Sequence, residues 1–292
     1  MESLHDIKNR IKGIASTKQI TKSMRMISTT KVQRVRNSLE MNRPFLQEAG
    51  RMSQIIKANL PYGKHFFSDK REIKNTAVIV IGGDRGLCGG YNVSVGKEAQ
   101  TLIERVGEAK IITVGVKARD FCKSKFADQI VFSYRGISES PFFEDAETIA
   151  ETVVKWYKSG EVDQVYVVYT QFQSMLSQIP QTVKLLPFEP NQIVGYNDSD
   201  EDSAKNNLRI RCEIACGKLF EEFVPFHIAA FIYSAILESS TSEQSARIAS
   251  MDAAVRNADE MIEAKTLIYN QARQSAITQE LIEIVNGAEA LM

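Results

Sequence analysis

The sequence predicts an α/β chain: a long antiparallel coiled coil of the N- and C-terminal helices plus a Rossmann-like, mostly parallel α/β domain between them. Three observations carry that reading. From Leu208 to Met292 the only proline is Pro225 and the only glycines are Gly217 and Gly287, so nothing in the remainder reads as a helix stop. Residues 2 to about 58 form a second helical stretch at the other end. In the middle, short β-branched runs alternate with helix-length segments, the pattern of a sheet covered by helices. The expected segments are 1–58, 75–190 and 208–292.

In the C-terminal stretch, Ile248, Met251, Val255, Ala258 and Ile262 recur at steps of three and four, and so do Ile277, Leu281, Ile284, Ala288 and Leu291. That is the spacing of a coiled-coil seam. At ~1.5 Å per residue the segment spans roughly 125 Å if helical throughout, against a radius of gyration of about 19 Å for a globule of this chain length. Such a helix protrudes, and its apolar stripe needs a partner.

The N-terminal stretch is the natural counterpart. Leu4, Ile7, Ile11 and Ile14 form one stripe, and Ile20, Met24 and Ile27 are expected to continue it after a six-residue step that breaks the register. Pro44 is expected to break or kink the helix near Arg43. Charge is balanced overall but unevenly placed: nine Lys or Arg and no acid lie between Lys8 and Arg36, whereas from Glu238 onward nine acids face four bases. A basic helix face is read as solvated, as a DNA-binding region, or as a positive shaft against an acidic protein surface. The absence of aromatic residues from Lys8 to Arg36 favours the shaft over nucleic acid.

In the middle, Thr76 to Ile81, Lys110 to Val114, Gln129 to Tyr134 and Val165 to Thr170 read as strands, with Thr182 to Leu186 one more at an edge. Asn92 to Val106 and Phe142 to Lys158 read as helices. Pro190 to Asn207, rich in Asp, Asn and Ser, reads as a solvated loop. No signal peptide is expected, since MESLHDIKNR runs into amphipathic sequence, and no apolar run approaches the ~20 residues of a membrane span. Four irregularly spaced cysteines, Cys88, Cys122, Cys212 and Cys216, suit a reducing compartment.

The obvious place for a ligand is GGDRGLCGGYN, Gly82 to Asn92, a glycine-rich turn between a strand and a helix. It contains no GxGxxG, and no Lys-Ser/Thr follows the glycines as a phosphate loop requires. Asp84 and Arg85 either pair with each other to shape the turn or point outward to a partner. Cys88 beside Arg85 invites a nucleophile, but His5, His65 and His227 are scattered, so a buried thiol is expected. Cys212 and Cys216 offer at most half a metal site. No catalytic constellation, cofactor site or metal cluster is expected.

The stretches KNRIKGIASTKQITKSMRMISTTK, GGDRGLCGGYN and SEQSARIASMDAAVRNA with YNQARQSAITQELIEIVNGAEAL together resemble the gamma subunit of the rotary F-type ATP synthase, of bacterial kind. The resemblance covers both ends and the central domain in order, and leaves Pro190 to Arg211 unmatched. It implies a central-stalk rotor without catalytic residues of its own. The coiled coil sits in a hexamer of alpha and beta subunits, and the α/β domain meets the epsilon subunit and the membrane c-ring. The setting implied is the cytoplasmic face of the cell membrane, as a peripheral part of the F1 sector. By the same resemblance Arg273, Gln274 and Thr278 correspond to polar residues touching the beta subunits. Arg247 lies near the coupling region, Met24 at a neighbouring position on the short helix, and Asp84 and Arg85 in a turn that approaches a beta subunit lower down. Ser28, Thr29 and Thr30 depart from an alanine-rich pattern, and Gly82 and Gly83 replace the usual hydroxyl residues. The competing reading is a Rossmann-like nucleotide-binding enzyme with a coiled-coil dimerisation arm.

Overall fold

The computed structural model describes residues 3–60, 65–69, 71–189 and 215–289. Cys212, Leu291 and the Pro190 to Asn207 stretch lie outside them. The elements in order are α1 (Leu4–Ala58), β1 (Thr76–Ile81), α2 (Tyr91–Val106), β2 (Ala109–Val114), α3 (Val116–Phe126), β3 (Ile130–Tyr134), α4 (Phe143–Ser159), β4 (Gln164–Phe172), β5 (Gln178–Leu186) and α5 (Cys216–Glu289). They form two compact units, one of Thr30–Arg247 and one of Met1–Thr29 with Ile248–Met292.

The larger unit is built on a five-stranded sheet of order β3-β2-β1-β4-β5. β1 pairs in parallel with β2 and β4, β2 pairs in parallel with β3, and β5 returns antiparallel to β4. The run TAVIVI is apolar at nearly every position because β1 is central and both its faces are covered. Ala77, Ile79 and Ile81 enter a core shared with α4 and the first turns of α5, where Ile149, Val153, Phe220, Val224, Ile228 and Ile232 are buried. Val78 and Val80 enter the opposite core beneath α2 and α3, with Val95, Leu102, Ile103 and Cys122. Leu46, Ile56, Leu60 and Phe67 also join the first core, so this unit reaches well beyond the 75–190 expected for the α/β domain. α5 contains an 18-residue window of mean hydropathy 1.3, apolar enough by length and composition to cross a membrane, which departs from the expectation that no run comes near one. Of that window 61% is buried inside the protein, and packing against the sheet accounts for its hydropathy.

Pro44 lies inside α1, so of the expected break or kink the helix does not break. Proline withholds one hydrogen bond, the one otherwise given to the Glu40 carbonyl. Leu39, Leu46 and Ala49, buried around that turn, hold the helix through it. Pro225 is carried inside α5 in the same way, between buried Phe220, Val224 and Ile228.

In the smaller unit the start of α1 and the second half of α5 run antiparallel. Lys18 pairs with Asp259 and Arg25 with Asp252, a step of seven residues taken in opposite directions on the two helices. Buried and half-buried positions of α1 recur at Leu4, Ile7, Ile11, Ile14, Lys18, Thr21, Arg25 and Ser28 without any break in the three-four spacing. The expected register break is therefore absent. Ile20 and Ile27 are 59% and 58% exposed and Met24 is 37% exposed, so this apolar trio lies on the outer face rather than in the seam. The apolar side chains leave the contact stripe after Ile14, and hydroxyls and ion pairs fill it. Thr21 and Thr29 satisfy their hydroxyls on the Thr17 and Arg25 carbonyls, at 2.9 and 3.0 Å.

On α5 the stripe is Ile248, Met251, Val255, Ala258 and Ile262, as the sequence predicts, then Lys265, Tyr269, Ala272 and Ala276. Ile277, Leu281 and Ile284 are exposed and do not continue it. At the register of the two ion pairs, Leu4 stands opposite the turn around Arg273, and later α5 residues have passed the described start of α1. A seam that is polar on one side is less stable than an apolar one. Thr21→Leu is accordingly expected to raise unfolding stability by about 1 kcal/mol, with slower amide exchange across residues 18–28. A lowered denaturant midpoint would show that Thr21 is not packed in the seam.

Candidate subunit-contact site

Gly82 to Asn92 leaves the carboxyl end of β1 and is stitched from three sides. Asn92 makes the inner bonds: its Oδ1 accepts from Gly83 N at 3.1 Å, and its Nδ2 donates to Arg85 O and to Cys88 Sγ, each at 3.1 Å. Asp84 makes the lateral ones, accepting from Val116 N at 3.1 Å through Oδ1 and from Gly136 N at 3.0 Å through Oδ2. It thereby ties the turns that follow β1, β2 and β3 together. Asp84 and Arg85 do not pair with each other, as one sequence reading had it. Arg85 swings outward to Glu139 at 2.5 Å, and Lys31 of α1 approaches the same carboxylate at 3.9 Å.

The third side is α5. Ser239 to Ser245 and Arg247 are buried although nearly all are polar, a run that an amphipathic helix would place in water. Several of them reach the sheet or its turns, while Thr241 bonds back to Leu237 O of its own helix. Thr170 N donates to Ser239 Oγ at 3.1 Å, Ser240 Oγ donates to Ser138 O at 2.7 Å, and Ser138 Oγ donates to Gly82 O at 2.8 Å. Arg247 pairs with Glu243 at 2.5 Å inside the protein and donates to Gly86 O at 3.2 Å. Burial pushes the Glu243 carboxyl above its ordinary value, and Arg247 pulls it back. A Cβ on Gly83 would stand 2.8 Å from the Glu243 carboxyl carbon, so glycine there leaves room for that side chain.

In parallel α/β sheets ligands enter at the carboxyl ends of the strands where the strand order reverses, here between β1 and β4. That place is filled by the chain's own α5, with a carboxylate against the glycines where a phosphate would have to lie. Cys88 is 2% exposed, and burial, then Glu243, raises its thiol above the ordinary range. A thiol so placed is a poor nucleophile. Tyr91, buried beside Ser239 and Thr170, is likewise held in its neutral form by burial.

Of the residues singled out in the sequence, the fold brings Asp84, Arg85 and Arg247 together around this turn. Only Arg85 presents its charge outward; Asp84 and Arg247 hold the turn from within. Met24, Arg273, Gln274 and Thr278 belong to the helix-pair unit and are exposed, with Thr278 Oγ1 donating to Gln274 O at 2.9 Å. Sequence reasoning passed over Asn92, Glu139, Glu238 and Glu243. The signal for the last two was the polar run LESSTSEQSAR inside an otherwise apolar helix.

Comparison with known proteins gives the family of the chain. A family model described as ATP synthase matches residues 3–291. The chain is 39% identical over 288 residues to the ATP synthase gamma chain of Alkaliphilus metalliredigens, covering 99% of this chain and 98% of the relative. It is 37% identical over 300 residues to the sodium-ion-specific ATP synthase gamma chain of Acetobacterium woodii, covering 99% of each. Among solved structures, a chain of the Euglena gracilis mitochondrial ATP synthase in rotational state 3 shares the fold with a TM-score of 0.66 at 18% identity, over 99% of this chain and 94% of that one. A chain of the Tetrahymena thermophila mitochondrial ATP synthase central stalk and c-ring does so with a TM-score of 0.61 at 24% identity, over 80% and 99%. Matched over nearly its whole length by family model and relatives alike, the chain belongs to the ATP synthase gamma-chain family.

Proposed function

We propose that this chain is the central-stalk rotor of an F-type ATP synthase, coupling transmembrane flow of protons or sodium ions to ATP synthesis or hydrolysis in the beta subunits. The observation that carries the reading is the helix pair. Its inner stripe is closed, while its outer faces and the α5 residues from Ile277 to Ala288 stay exposed. Those faces differ: α1 shows Ile20, Met24 and Ile27 on one and Lys8, Lys12 and Lys22 on others. Three equivalent catalytic subunits around such a shaft meet three different surfaces, and differential contact energy is what lets a partner shift a conformational equilibrium.

The chain itself is non-catalytic on this reading, because α5 fills the crevice where an α/β enzyme of this topology would hold its substrate. Met24, Arg273, Gln274 and Thr278 face the alpha and beta subunits, and Arg85 offers a further cation on a turn stiffened by Asp84 and Arg247. The epsilon subunit and the c-ring are the remaining partners, at the cytoplasmic face of the membrane. The test is Val255→Asp in the reconstituted enzyme. A charge in the half-buried stripe loosens the pair, so ion pumping driven by ATP is expected to fall steeply while hydrolysis persists. Pumping equal to wild type would overturn the role given to the helix pair.

A further inference from the structure

The β4–β5 hairpin leaves the sheet at Phe172, where three elements meet: Val35 and Leu39 of α1 and Leu237 of α5 form a small core against Phe172 and Tyr233. At this junction lies Glu238, 8% exposed, whose Oε2 accepts from Phe172 N at 3.2 Å. One residue on, Ser239 Oγ accepts from Thr170 N. The last turns of the strand are therefore fastened to α5 by two acceptors, and one of them is titratable.

We propose that Glu238 is a proton-operated seat for the β4–β5 hairpin: with the carboxyl neutral the junction stays shut, and its ionisation favours local opening. Two groups among the described residues bear on it electrostatically. Arg43 of α1 is the cation within electrostatic reach, and the Tyr169 phenol of β4, itself buried, lies on the sheet side. Burial outweighs both the Phe172 N–H and Arg43, and moves the carboxyl from 4.5 to about 7. In the opened junction the carboxyl returns towards its ordinary value, so opening releases a proton between about pH 4.5 and 7. The sign follows: the seat is firmest below pH 4.5, loosens as pH rises through 7, and is constant above it.

The experiment is amide hydrogen exchange on the full chain between pH 5 and 8, with each rate divided by its intrinsic value. Protection at Phe172 and Thr170 is expected to fall by up to about tenfold per pH unit below pH 7 and to level off above it. In Glu238→Gln, which keeps a neutral acceptor, protection is expected to be flat. A matching fall in the variant, or a flat profile in the wild-type chain, overturns the proposal. Direct carboxyl titration by carbon NMR covers the case of a variant that does not fold. A Glu238 midpoint above 6 supports the seat, and one near 4.5 overturns it.

Discussion

Arg247→Ala is expected to destabilise the protein by about 3–5 kcal/mol, far more than loss of a surface cation. The guanidinium and its partner Glu243 are both under a tenth exposed, and the pair also holds the Gly86 carbonyl. Deleting the arginine leaves a carboxylate in a site already crowded by Asp84 and Glu139, each of which raises its proton affinity. The deficit therefore depends on pH. Glu243 in the variant carries a folded-state pKa raised further above 4.5, so it stays protonated and tolerable in acid, and the loss grows as pH rises through that value. Urea unfolding at pH 5 and pH 8 reads this directly, with the larger loss at pH 8. Arg247→Met combined with Glu243→Leu is expected to recover most of the stability, since apolar pairs replace buried ion pairs well. An Arg247→Ala chain as stable as wild type at pH 8 would mean that the pair does not lie inside.

Gly115→Ala is expected to cost about 3 kcal/mol or more and to reduce the yield of folded chain. Gly115 links β2 to α3 with φ +97°, and a Cβ there would stand 2.4 Å from Gly82 O and 2.9 Å from Gly83 O. All the obstructing atoms are backbone, at the root of the fastened turn, so relief requires moving the end of β1 or the start of α3. Gly96 provides the control. The nearest atoms to a Cβ there belong to the Phe121 ring, at 2.5 Å, and a side chain can rotate away. Gly96→Ala should therefore cost less. Denaturant midpoints for the two variants make the comparison, and a smaller loss at Gly115 would contradict the close approach.

Much of the architecture was readable because it depends on local periodicity. TAVIVI and VYVVYT announce strands buried on both faces, and the Ile248 to Ile262 stripe announces a seam, since those residues do face a partner. The failures share a cause. Ile20, Met24 and Ile27 look like a continuing stripe because they are apolar, yet the contact face keeps its geometric period and accepts Lys18, Thr21 and Arg25 instead. Pattern reading assumes that burial selects apolar residues, and it errs wherever polar groups are buried with partners. The same assumption hid the candidate site. Ser239, Ser240 and Glu243 look like a solvated helix face until the end of β4, the turn after β3 and Arg247 supply their hydrogen bonds. At Pro44 the helix does not break, because packing on both sides outweighs one lost bond. α3, short and basic, was not singled out, because only Ala118 and Cys122 of its residues are buried.

Lys18–Asp259 and Arg25–Asp252 act as a vernier on the helix pair. Sliding one helix past the other by a single turn separates both charges from their counterparts. Sliding it by a whole heptad brings Lys18 to Asp252, or Arg25 to Asp259, and strands the other two. Purely greasy contacts would tolerate either displacement, whereas here only one longitudinal alignment satisfies all four charges. The strength given up in that stretch is exchanged for a fixed position along the axis, so that twisting effort applied at one end is delivered as twist rather than absorbed as creep.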